Sequence, residues 1–279
     1  MNTSKVWFIT GAGRGMGLDI TKAALLAGHQ VVATGRNTDH LRASLGDHPN
    51  LFIAKLDVTN IEDTQVAVES AVEAFGKIDV LVNNAANFYA GFFEELSMNQ
   101  IHSQFNTALI GPMNVTRAVL PVMRKQRAGH IMSISSGAGL AGFEFNTAYA
   151  ASKFGLEGWM ESLRFEVIPF GIHTTIINPG MFRTELLTEQ SSTYADPSIE
   201  DYSERRGMNE QSYQSQNGQQ AGDSAKLAQA LINIANEEQP PHRFIAGADA
   251  IAIAEQKIAD LQAQVNAYRD LSISMSHKD

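Results

Sequence analysis

Short apolar runs recur along the chain, separated by longer stretches whose apolar positions fall at helical spacing. Val6–Thr10 is the first such run, and Val31–Thr34, Leu51–Leu56, Val80–Val82, Ile131–Ile134, His173–Ile177 and Arg243–Ala246 follow it. Runs this short, bounded by turn residues, read as strands buried on both faces. The intervening stretches read as helices. One follows the glycine-rich turn Gly11–Gly17 and stops at Gly28, where a glycine suits a helix C-terminus. Ile61–Phe75 is amphipathic, Asn99–Met123 is helical with a kink expected from Pro112, and a further helix runs through Tyr149 to about Ile168. Strands alternating with helices predict a doubly wound α/β fold, a parallel sheet of about seven strands with helices on both faces.

Two segments break the alternation. From Thr188 to Gly222 the chain is rich in Ser, Gln, Glu and Asn and nearly free of aliphatic residues. It reads either as a surface loop or as a lid over a substrate cleft, with residues 185–222 as the lid. In the second segment, Asp249–Leu271, Ile251, Ala254, Ile258, Leu261, Val265 and Tyr268 alternate spacings of three and four. That is a heptad stripe, and it fits a helix packed on its own domain or one docked on another subunit.

Composition narrows the function. At 279 residues the chain fits one domain spanning 1–279, with the lid at 185–222 and a C-terminal helix at 249–271. A net charge of -9, with no run of Lys or Arg, opposes nucleic-acid binding. The absence of Cys excludes thiol catalysis, and the eight His are scattered without a zinc-protease pattern. No apolar run reaches membrane-spanning length, and the first strand begins too early to leave room for a signal peptide. The expectation is a cytoplasmic protein with no membrane partner.

Candidate chemistry lies at two places. The turn after the first strand reads Thr10-Gly11-x-x-x-Gly15-x-Gly17, with Arg14 and Met16 inside it. Glycines there let backbone approach a pyrophosphate, and the following helix N-terminus offers oriented N–H groups, as in a Rossmann-type nucleotide site. The second strand ends in Gly35 and Arg36, with no acid before Asp39. Two guanidiniums without a carboxylate suit the 2′-phosphate of NADP(H) better than the ribose diol of NAD(H). The second place is Ser136, Tyr149 and Lys153. Tyr149 and Lys153 lie four apart on one helix face, where an ammonium is expected to lower the phenol pKa towards neutrality. Such a Tyr can pass a proton to or from a carbonyl or alcohol, and the Ser136 hydroxyl can hold the same oxygen.

The glycine turn, Asn83-Asn84-Ala85, Ser136, Tyr149-x-x-x-Lys153 and Pro179-Gly180 occur in this order on successive strand ends. Together they resemble the short-chain dehydrogenase/reductase family over about residues 5 to 185. The resemblance implies that Tyr149 is the acid/base, that Ser136 positions the substrate oxygen, and that Lys153 binds the nicotinamide ribose. It implies adenine contacts for Asp57 and Val58, a place along the cofactor path for Asn84, and carboxamide binding by Pro179 to Thr184, which includes Phe182. Relatives are commonly homodimers or homotetramers, often joined through the Tyr149 helix.

The chain departs from the family twice. Ala86 stands where the family has Gly after Asn-Asn-Ala, and alignment on Gly111 puts Ala108 where the family carries an Asn behind the Lys. Asn106 lies about 200° around the helix from that position and cannot simply replace it. Phe88, Tyr89, Phe92, Phe93, Phe143, Phe145, Met181, Phe182 and Leu186 gather near the expected substrate end, about half of them as core. They favour an apolar ketone, aldehyde or secondary alcohol. The leading reading is an NADP(H)-dependent oxidoreductase. An epimerase or dehydratase on the same scaffold, or a non-catalytic nucleotide-binding scaffold, are the alternatives.

Overall fold

The computed structural model describes residues 4–188, 191–196 and 198–277. The chain runs β1 (Val6–Thr10), α1 (Gly15–Leu26), β2 (Gln30–Gly35), α2 (Thr38–Leu45), β3 (Leu51–Lys55), α3 (Ile61–Phe75) and β4 (Val80–Asn83). It continues through β5 (Phe88–Ala90), α4 (Met98–Phe105), α5 (Gly111–Gln126), β6 (Gly129–Ile134), α6 (Thr147–Val167) and β7 (Ile172–Pro179). After β8 (Ser192–Tyr194) come α7 (Ser203–Gln216), α8 (Ser224–Ile234), β9 (Arg243–Ala246) and α9 (Ala248–Ile273). The seven expected strands form one parallel sheet in the order β3-β2-β1-β4-β6-β7-β9. Between β1 and β4 the order reverses, which opens a crevice at their C-terminal ends.

Alternation along each strand divides the core. Val6 and Phe8 face α3, α5 and α6, packing with Leu81, Val115, Val119 and Met160. Trp7 and Ile9 face α1 and α8, packing with Ile20, Val82, Leu227 and Leu231. Local signals fix the helix ends. The Asn60 side chain accepts from the Glu62 and Asp63 N–H groups, and Gly76 at φ 77° closes α3, so the sequence marks this helix at both termini. Asn37 and Asp223 cap α2 and α8 in the same way, and Ser97 with Gln100 forms a capping box on α4.

The stretch read as one kinked helix over Asn99–Met123 is two helices joined by a π-helical turn, Asn106–Ile110. The Gly111 N–H donates to the Asn106 carbonyl and so skips that of Thr107. Pro112, in the first turn of α5, has no N–H to offer the Ala108 carbonyl. The irregularity therefore lies just before Pro112. The expected lid also differs from an irregular loop. It holds β8, which pairs with β5 in a separate two-stranded sheet, and the polar helix α7. Residues 189, 190 and 197 of the expected lid, and 1–3 and 278–279 of the expected domain, lie outside the described residues. The C-terminal helix forms, but of its residues only Ala250 and Ala254 are buried, and every residue from Ile258 to His277 is exposed.

Candidate active site

Strand β6 delivers Ser135 and Ser136 to the crevice. The Ser136 Oγ accepts from the Ala138 N–H at 3.1 Å, which caps the 3₁₀ turn Gly137–Gly139 and fixes the serine's direction. Helix α6 crosses beside this turn and presents Tyr149 and Lys153 on one face, both buried. The Tyr149 and Ser136 side chains line the same cleft. The Lys153 Nζ donates to the Ile134 carbonyl at 2.8 Å and sits 5.6 Å from the centre of the Tyr149 ring. The serine, tyrosine and lysine thus converge as expected.

Their electrostatics differ from the expectation. Burial pushes the Tyr149 phenol up, and the neighbouring Ser136 hydroxyl opposes this only in part. Burial also pulls Lys153 down to about 8 against a pull from Glu157 that favours its charge. The ammonium sits against the ring face and the Ile134 carbonyl, and among the influences on the phenol only burial and Ser136 stand out. The protein alone holds a protonated tyrosine.

Glu157, one turn beyond Lys153, belongs to a buried polar network that the sequence did not disclose. It accepts from the Ser135 Oγ at 2.6 Å and the Asn178 Nδ2 at 2.5 Å, and its other oxygen pairs with Arg243. Arg243 also donates to the Asn178 Oδ1 at 3.0 Å and to Glu161 at 2.7 Å. The carboxylate thus ties α6 to the ends of β6 and β7 and to β9. Its one sequence signal is an acid four residues after Lys153.

The nucleotide end is built mostly from backbone. Gly11 and Gly15 have φ of 65° and 51°, in the left-handed region that favours glycine. A Cβ on Gly17 would overlap the Gly11 carbonyl oxygen, so this glycine lets α1 approach the turn. Helix α1 has no acid in its own first turn, and its N-terminus faces the crevice, where the Glu185 carboxylate from the lid lies close to Gly15. The Thr10 Oγ1 accepts from the Asn84 and Ala85 N–H groups at 2.9 and 3.0 Å, and the Asn84 Nδ2 donates to the Thr10 carbonyl at 2.9 Å. Asn84 therefore also locks the two strand ends across the crevice. Arg14 donates to the Ser191 Oγ at 2.7 Å, which links the turn to the lid. Burial raises Asp57, but hydrogen bonds from the Thr59 hydroxyl and N–H and the charges of Arg36 and Lys55 outweigh it and hold the carboxyl below its usual value.

One cleft of ≈ 1300 Å³ joins these parts. Gly11, Arg14, Gly15, Met16, Arg36, Asp57, Val58, Asn84, Pro179, Phe182 and Thr184 line it together with Ser136, Tyr149 and Lys153. Gly17 lies beneath it, and the Thr184 Oγ1 accepts from the Leu186 N–H at 3.3 Å. At the far end Phe88, Phe92 and Phe145 are buried around Tyr149, with Leu186, Leu187, Tyr194, Tyr202 and Tyr213 packed against them. Phe93, by contrast, is 63% exposed and points away. Residues not singled out in the sequence also face the cleft. Among them, Asn87 and Asn146 each leave a buried side-chain oxygen without a hydrogen-bond partner. The lid is fastened from outside by Glu95, which accepts from Arg206 at 2.5 Å and from the Ser198 and Ile199 N–H groups at 3.0 Å.

Residues 5–195 match the family model described as short chain dehydrogenase. The chain belongs to the short-chain dehydrogenase family. The oxidoreductase BOA17 of Botryotinia fuckeliana is 34% identical to this dehydrogenase over 97% of this chain and 99% of its own. The 3-ketodihydrosphingosine reductase of Bacteroides thetaiotaomicron is 33% identical over 87% of this chain and 88% of its own. A short-chain dehydrogenase from Streptomyces avermitilis superposes with a TM-score of 0.89 at 34% identity, covering 99% of this chain and 100% of that one. ElxO, solved with NADP bound, superposes at 0.72 with 25% identity, covering 88% and 97%. The chain is accordingly an oxidoreductase of this family. Among the described residues no helix is long and apolar enough to cross a membrane, and no cluster of side chains could hold a metal ion.

Proposed function

We propose that this dehydrogenase is an NADP(H)-dependent oxidoreductase acting between an apolar ketone or aldehyde and the corresponding alcohol. The observation that carries the reading is the convergence of Ser136, Tyr149 and Lys153 in one cleft with the glycine-rich turn. The turn fits a dinucleotide, because Gly17 admits a close helix approach that any side chain would block and α1 opens on the cleft with no acid in its own first turn. Arg36, beside Asp57 at the mouth of the cleft, is the residue for a 2′-phosphate and favours NADP(H) over NAD(H). When bound, the nicotinamide supplies or accepts the hydride. Pro179, Phe182 and Thr184, which line the cleft, would hold its ring, and Lys153 would hold its ribose.

The chain's own residues then manage the proton. Tyr149 is held protonated by burial, so in the reductive direction it donates to the carbonyl oxygen as negative charge develops there. Ser136, oriented by its bond from the Ala138 N–H, donates a second hydrogen bond to that oxygen. Lys153 at about 8 stays mostly charged at neutral pH and stabilises the phenolate that Tyr149 becomes. Ala108 offers no side-chain amide behind Lys153, but the π-helical turn spans this position and frees main-chain carbonyls there. Those carbonyls can hold water for reprotonation. The aromatic wall from Phe88 to Tyr213 excludes water and favours apolar substrates. Residues 185–222 act as the lid over this end. Phe165, 73% exposed on α6, and Phe154, exposed about three turns earlier on the same face, suit a homodimer or homotetramer built through that helix.

The test is NADPH and NADH oxidation over a panel of ketones and aldehydes, with Tyr149→Phe as control. The variant should keep NADPH binding and lose at least about a hundredfold in kcat. An unchanged rate in Tyr149→Phe refutes the role of Tyr149. NADPH binding without turnover across the panel would favour the non-catalytic reading that Ala108 raises.

A further inference from the structure

Helix α9 leaves the body of the protein. Ala250 and Ala254 anchor its first turns, whereas Ile258, Leu261, Val265 and Tyr268 are between 48% and 68% exposed on one side of the free part. From Ile258 to Ile273 the free helix is about 24 Å long at ~1.5 Å per residue. A helix of this length without tertiary packing is marginal in water, so this one calls for a partner along its stripe. The stripe keeps a strict three–four alternation, which places Ile251, Ile258 and Val265 at a and Ala254, Leu261 and Tyr268 at d. The positions flanking it hold few charges. Glu255 and Arg269 occupy e positions, Lys257 a g position, and among the described residues none of the three is in a salt bridge.

We infer that α9 pairs with α9 of a second copy of this chain as an antiparallel two-helix coiled coil about a two-fold axis. Antiparallel pairs stack a against d, and one register brings Ile258 opposite the partner's Tyr268 and Leu261 opposite the partner's Val265, each pair occurring twice. In that register the e positions meet so that Glu255 faces the partner's Arg269, again twice, and Gln262 faces itself across the axis. A shift of one heptad either way loses the Glu255–Arg269 pairs. A parallel pair sets g against e, which opposes Lys257 to Gln262 and Gln264 to Arg269 and forms no opposite-charge pair. Charge and apolar overlap thus select one arrangement. The free segment carries both signs of charge on a chain of net -9, which disfavours an anionic lipid surface as the occupant. This contact is separate from the exposed face of α6 and adds a second axis to any dimer formed there.

Full-length protein tests the pairing by sedimentation velocity across a concentration series, with NADPH binding as the folding control. Glu255→Arg sets four cations at the two contacts and should weaken that association step by about tenfold. Glu255→Arg combined with Arg269→Glu should restore it, which no unrelated partner would do. Leu261→Asp should remove the step and halve the mass of the affected assembly. Because the chain has no Cys, single substitutions report register by disulfide or short bis-maleimide linkage. Gln262→Cys should link to its copy, whereas Tyr268→Cys, set about 15 Å from its copy along the axis, should not. A mass unaffected by Glu255→Arg and Leu261→Asp overturns the inference, as does linkage at Tyr268 in place of Gln262. Co-pelleting with phosphatidylcholine–phosphatidylserine vesicles that Leu261→Asp abolishes, with the mass unchanged, also overturns it and assigns the stripe to a lipid surface.

Discussion

Replacing Lys153 by Met should abolish turnover and at the same time stabilise the ligand-free protein. The ammonium is buried at 3% exposure, and burial lowers its pKa from 10.5 to about 8. A tenfold change in proton affinity is worth about 1.4 kcal/mol, so keeping the charge inside costs about 3 kcal/mol at neutral pH. Met has nearly the same shape and no charge to bury. It loses the 2.8 Å bond to the Ile134 carbonyl, a loss of about 1 kcal/mol. The net gain at pH 7 is therefore about 2 kcal/mol. The sign of its pH dependence follows from the lowered pKa. Between 8 and 10.5 the unfolded lysine still binds a proton that the folded one has released, so wild-type stability rises through this window. The advantage of Lys153→Met should accordingly shrink as pH rises from about 7 to about 10. Urea unfolding of both proteins without cofactor, at several pH values, measures it. If the variant is less stable at neutral pH, or the gap stays constant into the alkaline range, the buried charge is not the cost assigned to it.

Three further outcomes are expected. Arg36→Ala should raise the KM for NADPH by about ten- to a hundredfold, the worth of a charged phosphate contact, and leave that for NADH nearly unchanged, as steady-state kinetics with both cofactors would report. Gly17→Ala places a methyl against the Gly11 carbonyl oxygen and the Asn84 side chain and should cost about 2 kcal/mol in urea unfolding, with weakened cofactor binding by fluorescence titration. Glu157→Gln removes the one influence that raises the Lys153 pKa, so the alkaline limb of the kcat–pH profile should move to lower pH.

Elements with local signals are legible in the sequence, and those that depend on distant partners are not. Helix α3 is legible to its observed ends because Asn60 and Gly76 are adjacent to it in sequence and act by themselves. The strands of the main sheet fall within a residue or two of their apolar runs because each run is short and bounded by turn residues, and the five inner strands are buried over most of their length. Strands β5 and β8 have three residues each and exist only through pairing across the lid, which no local pattern encodes. Helix α7 has no buried residue to give it an apolar stripe, so its sequence resembles loop. Spacing taken together with the ordered motifs along the strand ends points to Ser136, Tyr149 and Lys153, the residues proposed for proton transfer. Their electrostatics stay hidden, because burial of Tyr149 and Lys153 depends on aromatic residues and strand ends far away in the chain.

The two ends of the cleft are built on opposite principles, and this explains why their variants should differ in sign. In the proposed function the nucleotide end works through backbone that can approach closely, and Gly11, Gly15 and Gly17 would serve stability and binding together. A side chain there damages both. At the proton end the function resides in side chains held where they are least solvated. Lys153 sits under Tyr149 at an energetic loss, and Glu157, braced by Ser135, Asn178 and Arg243, recovers part of it by favouring the ammonium. That brace also fixes the ends of β6 and β7, from which Ser136 and Pro179 reach the cleft. Weakening it should therefore disturb proton transfer before it disturbs folding, whereas removing Lys153 should stop the chemistry and relax the fold.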